Sequence, residues 1–152
     1  MINVHAICHE AGHAIVAMRF GIRILGISVE NSIPTIRLDT GGAPLEKVCA
    51  VYAAGVAAER IAFGGNNPTA AEGDQRQIEV VEGGKLEDYL SDATRIIQDE
   101  IKCHKQLRMA MTANWADEEG SSEWHGAESD KMNQPLLDAA QIMAIWESCH
   151  PN

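Results

Sequence analysis

Between Asn3 and Phe20 the apolar residues Val4, Ile7, Ala11, Ile15 and Met18 recur at steps of three and four, the period of one helix face. Gly21 follows as a stop. From Ile22 to Glu30 and from Ile33 to Asp39 the chain is rich in Ile and Val with partial alternation, and the polar pair Asn31 and Ser32 separates two strands as a hairpin turn would. Pro34 cannot donate to a ladder, which predicts an edge strand or a strand start there. Gly41 and Gly42 break the chain, Pro44 suits a first helical position, and an alanine-rich helix is expected through Phe63, ending at Gly64 and Gly65. Asn66 to Gly73 reads as a loop, Asp74 to Glu82 as a short helix closed by Gly83 and Gly84. Leu86 to Trp115 predicts one long helix carrying Leu90, Ala93, Ile97, Ile101 and Met109. A last helix over Met132 to Cys149 carries Leu136, Leu137, Ala140, Met143 and Trp146. Between them, Asp117 to Asp130 is acidic and contains Gly and Ser, as a loop or link does. The pattern predicts an α+β, mainly α-helical fold, with one helix, a small hairpin sheet and a bundle of further helices.

Length narrows this to one domain over residues 1–152, since 152 residues at 45% hydrophobic content can bury a core without staples. Its two parts are residues 1–82 and a helical C-terminal part over 85–150. Charge excludes more: 12 Lys and Arg against 22 Asp and Glu give a net charge of -10, which disfavours nucleic acid and anionic membrane surfaces as partners. No run approaches the roughly 20 apolar residues of a bilayer span, and the N-terminus lacks a signal-peptide profile, so no membrane insertion is expected. Cys8, Cys49, Cys103 and Cys149 are scattered with no paired spacing, which fits a reduced, cytoplasmic setting. There is no phosphate-cradling glycine motif.

The chemistry concentrates in the first helix, where residues 9–13 read His-Glu-Ala-Gly-His. Residues four apart share a helix face, so His9 and His13 can present imidazoles to one metal ion while Glu10 sits beside it. This is the H-E-x-x-H arrangement of zinc hydrolases, in which the glutamate is the proton acceptor. Gly12 costs about 1 kcal/mol of helix propensity, which makes sense if another backbone passes close by. Glu59 falls on the small-residue surface formed by Ala50, Ala53, Ala54, Gly55, Ala57 and Ala58, where a carboxylate needs solvent, a histidine or a metal as partner. For a third ligand, Asp74 competes with Glu72, and Asp74 also reads as a helix N-cap with Gln77 three residues on. His5 extends the histidine row by a turn, and Cys103 beside His104 is a weaker metal candidate because neighbours on a helix point apart.

Taken in order, His-Glu-Ala-Gly-His-Ala at 9–14, Ala-Gly-Val-Ala-Ala-Glu-Arg at 54–60, Phe63 with Gly64, and Asp74 after a Gly-containing loop resemble the peptidase domain of the FtsH-type ATP-dependent zinc proteases. The resemblance is strongest across Cys8 to Asp74. It implies that His9, His13 and Asp74 bind Zn2+, that Glu10 is the catalytic base, and that Glu59 orients a zinc histidine. It further implies a peptide or unfolded protein as substrate. Departures lie in Ala54, Gly55 and Val56, where the family has a paired glycine and arginine before the Ala-Glu step, and in the late Ala93 and Thr94. The family's membrane anchor and ATPase module precede its peptidase domain, whereas this sequence opens almost at the zinc helix. A stand-alone metallopeptidase is therefore expected, working as a homo-oligomer or with a separate ATPase partner.

Oxyanion donors open at this point are His5, His125 or a backbone amide. A rival expectation is a zinc-binding regulatory or interaction module that turns over nothing. Peptide deformylase shares H-E-x-x-H but needs a cysteine ligand well upstream, and only eight residues precede His9.

Overall fold

A computed structural model describes residues 2–115 and 134–151. Helix α1 (Val4–Arg19) begins at Asn3, whose side chain accepts from the Ala6 amide at 3.0 Å. From Ile7 to Met18 only Glu10 escapes full burial, so α1 is a central helix surrounded on all sides rather than a one-faced one. Strands β1 (Arg23–Glu30) and β2 (Ile33–Asp39) pair antiparallel through a two-residue turn. Asn31 and Ser32 take φ of 54° and 66°, the left-handed pair that matches strand twist in a tight hairpin. Helix α2 (Leu45–Phe63) follows Pro44, which sits at the N-cap, one position before the expected one. It ends at Gly64, whose φ of 79° provides the left-handed C-cap.

Three sequence expectations are corrected from here. Helix α3 (Pro68–Val81) starts six residues before Asp74, with Asn67 as N-cap accepting from Thr69 and Ala70 amides at 2.8 and 3.2 Å, and Pro68 in the first turn. The loop expected over 66–73 is therefore mostly helix, and Asp74 is an interior residue, not a cap. The expected helix over 86–115 is divided. A 3₁₀ turn (Leu86–Tyr89) leads into α4 (Leu90–Asp99), and α5 (Ile101–Asn114) follows after Glu100. The break at Glu100 is held from outside, because its carboxylate accepts from Arg19 at 3.0 Å and pairs with His150 at 2.7 Å. The register shifts with it, so that Ile101 and Met109 are exposed and Cys103, Leu107 and Met111 are buried. Finally, the helix expected from Met132 is a strand, β3 (Gln134–Asp138), before α6 (Ala139–Cys149). Pro135 cannot sit inside a helix, and Leu136 and Leu137 bury themselves by pairing β3 to β1. Asp138 and Gln141 then open α6 with a capping box. The acidic stretch 117–130, with His125, lies outside the described residues.

The fold is thus mainly helical with a three-stranded antiparallel sheet of order β2-β1-β3, as expected in class. Among the described residues strand β2 is an edge, which gives Pro34 a place where no ladder bond is lost. Among the described residues no helix is long and apolar enough to cross a membrane. The core centres on α1 against α2, whose Ala53, Ala54, Ala57 and Ala58 are buried. A Cβ at Gly12 would lie 2.6 Å from the Ala54 carbonyl oxygen and 2.7 Å from the Ala58 Cβ, so the close backbone approach expected at Gly12 is there.

Replacing Gly12 by Ala improves helix propensity by about 1 kcal/mol, but forcing two helices apart costs typically 1–3 kcal/mol. Packing decides the sign. The expected outcome is a lower urea midpoint for Gly12→Ala, read by circular dichroism; an unchanged or higher midpoint would show that the contact yields freely.

Candidate metal centre

Every side chain of the centre is placed by a local device already described. The four-residue spacing on α1 puts the His9 and His13 rings edge to face, 4.7 Å between centroids. Helix α2 packs against both. The His9 Nδ1–H donates to Glu59 Oε1 at 2.6 Å, and the His13 Nδ1–H donates to the Val51 carbonyl at 2.6 Å. Gly55 lies flat against the His9 ring, where any Cβ would overlap it. Glu59 is itself buried, its second oxygen accepting from the Asn67 amide at 3.0 Å. Helix α3 then brings Asp74 in from the other side, with Oδ2 at 2.8 Å from His9 Nε2 and 3.5 Å from His13 Nε2.

The protons decide what this arrangement can do. With Nδ1 of each ring committed as donor, a neutral imidazole has a bare lone pair at Nε2. Two such lone pairs and the carboxylate oxygen of Asp74 converge, and the ligand atoms of His9, His13 and Asp74 lie within 4.8 Å of one another. Asp74 Oδ2 is buried and, while both rings are neutral, meets no hydrogen-bond donor among the described residues. Three acceptors facing each other require a positive charge between them, supplied by a proton on a ring or by a metal cation. The same demand appears in the titration of each group. Burial alone would lower His9, but hydrogen bonds to Asp74 and Glu59 outweigh it and raise its pKa to about 10. Burial would raise Asp74, but the charges of His13 and His9 hold it at about 2. His13 is raised for the same reason, against its burial. The donor set of two imidazoles and one carboxylate, each imidazole oriented by a second partner, fits a divalent cation.

Glu10 stands outside the trio, lining the same cleft. Burial raises its pKa, and the His13 and His9 imidazoles only partly oppose this. The cleft, about 490 Å³, is walled on its far side by Ile33, Pro34 and Ile36 of β2 and also receives Tyr52.

Of the other sequence candidates, Glu72 is corrected: it is exposed and paired with Arg76 at 3.7 Å, two residues from Asp74 and therefore on the opposite face of α3. His5 stacks on Phe63 with its Nδ1 3.6 Å from Glu59, behind the centre. Cys103 and His104 are both buried, and His104 donates from Nε2 to the Cys8 carbonyl at 3.1 Å. Burial lowers His104 to a pKa of about 4, so it is a neutral strut between α5 and α1. Cys8 is fully buried and packs as a small hydrophobe. Sequence reading missed the Val51 carbonyl, which no side chain announces, and Tyr52, which an alanine-rich run conceals. No protein-family model, curated protein or solved structure matches this chain.

Metal titration of the metal-free protein tests the charge argument. Because His9 stays protonated up to a pKa of about 10, a metal binding between pH 7 and 9 displaces at least one proton. Calorimetry should give enthalpies that depend on the buffer's ionisation heat, and apparent affinity should rise roughly tenfold per pH unit. Buffer-independent enthalpy would contradict it. In the same assay, Asp74→Ala should lose affinity beyond the roughly 10–100-fold expected for Glu59→Ala, an outer partner. Glu72→Ala should bind as wild type does, and a reversed order would move the third ligand elsewhere.

Proposed function

We propose that this chain is a zinc-dependent peptidase of the FtsH peptidase type, cleaving peptide bonds in an unfolded or extended substrate. The observation that carries the reading is the convergence of the His9 and His13 Nε2 atoms with Asp74 Oδ2, beside a carboxylate that points into the same cleft but takes no part in the cluster. His9, His13 and Asp74 would hold the ion, and Glu59 and the Val51 carbonyl would fix the two rings. When bound, zinc supplies Lewis acidity, which acidifies water and polarises a carbonyl.

The remaining steps belong to the chain. Glu10, shifted upward by burial, accepts a proton from the attacking water at one carboxylate oxygen and returns it to the nitrogen of the departing amine. Edge strand β2 supports the substrate class. Among the described residues β2 has a strand on one side only and its residues line the cleft, where an extended peptide would add as a further strand, so selection would act on conformation more than on side chains. Zinc is favoured over harder cations because two of the three donors are imidazoles.

The test is Glu10→Gln measured against wild type on casein, with zinc content determined in both. Wild type should cleave, lose activity to a chelator and regain it with zinc. Glu10→Gln should keep its zinc and lose roughly 10²–10⁴-fold in turnover. Full activity in Glu10→Gln would refute the mechanism. A zinc-loaded wild type that cleaves neither casein nor peptides would instead favour a non-catalytic binding module built on the same site.

A further inference from the structure

Peptide hydrolysis places negative charge on the carbonyl oxygen under attack, and a hydrogen-bond donor fixed in advance toward that oxygen accelerates it beyond what a Lewis acid supplies. Few side chains on the cleft can serve as such a donor. Glu10 and Asp74 are acceptors, and His9 and His13 spend their Nδ1 protons on Glu59 and Val51. The Thr35 hydroxyl donates to the Ile33 carbonyl at 3.2 Å, and Gln77 is exposed on α3. His5, an earlier candidate, is stacked behind the centre on Phe63.

We propose that the Tyr52 phenol is the hydrogen-bond donor to the substrate oxyanion, an assignment that rests on the peptidase reading above. Tyr52 lines the cleft together with His9, Glu10, His13 and Asp74. It is half-buried, with its ring packed on the core, and its hydroxyl has no hydrogen-bond partner among the described residues. Its backbone belongs to the helix that seats both histidines. Tyr52 adjoins Val51, which holds His13, and shares a face of α2 with Gly55 and Glu59, which seat His9. Burial, followed by the nearby charges of Cys49 and Asp74, keeps the phenol protonated. The phenol contributes a hydrogen bond and retains its proton throughout. The proton taken from water passes through Glu10 to the leaving amine, so no charge is left on Tyr52.

Tyr52→Phe removes the hydroxyl and keeps the ring. Both proteins are loaded with zinc and assayed on a quenched-fluorescence peptide that wild type cleaves. The expected result is a loss in kcat of roughly 10²–10³-fold with KM little changed. Zinc content and thermal midpoint should match wild type. By calorimetry, a phosphinic peptide, whose tetrahedral oxygens stand in for the oxyanion, should lose affinity by a similar factor, while the product peptide binds unchanged. The assignment is overturned if wild type cleaves and Tyr52→Phe keeps its kcat. It is equally overturned if kcat falls with phosphinate affinity intact, or if Thr40→Val, which removes the other free hydroxyl on the cleft, causes the loss instead. If zinc-loaded wild type cleaves nothing, the peptidase reading itself fails and this assignment falls with it.

Discussion

The close contact between α1 and α2 is the constraint on which the rest depends. Two glycines permit it, one on each helix: Gly12 faces Ala54 and Ala58, and Gly55 faces the His9 ring. Their spacing lets backbone and short side chains of α2 reach the imidazoles directly. A bulkier interface would hold the helices apart, and neither the Val51 carbonyl nor Glu59 would meet its ring at 2.6 Å. Small residues usually serve packing. Here the same packing orients two side chains at once, so stability and site geometry share one interface.

Electrostatics adds the second half of the design. A buried carboxylate beside two imidazoles is unfavourable unless each charge finds an opposite, and a pKa of about 10 for His9 against about 2 for Asp74 expresses that pairing. The centre is therefore poised around a positive charge whatever supplies it. Glu10 sits near enough to feel both histidines but stays outside their hydrogen bonds, and its own burial raises its pKa.

What could be read from the sequence was what is decided locally. The step pattern of α1, the hairpin with its Asn31 and Ser32 turn, and the alanine-rich α2 with its Gly64 stop each carry their own signals, and they stand where expected. The misreadings have non-local causes or competing local ones. Asn67 and Pro68 announce the start of α3, but Gly73 argued for a loop, and the helix simply runs through it at a cost of about 1 kcal/mol. Nothing in residues 86–115 marks the break at Glu100, because Arg19 and His150 hold it from elsewhere in the chain. Strand β3 exists only through its pairing with β1. In the site, His9, Glu10 and His13 follow from spacing alone, while the choice between Asp74 and Glu72 required knowing which face of α3 looks inward.

Helix α3 has the lightest anchorage of any wall of the centre. Ile78 is its one fully buried residue, and its first turn is tied down through Asn67, which both caps the helix and donates to Glu59. Asp74 rides on this helix while the two histidines ride on the core. A cation shared between them would thus also clamp the buried core helix to a helix with a single fully buried residue. Its binding free energy would include the cost of seating α3, so cation affinity and the order of the cleft would rise and fall together.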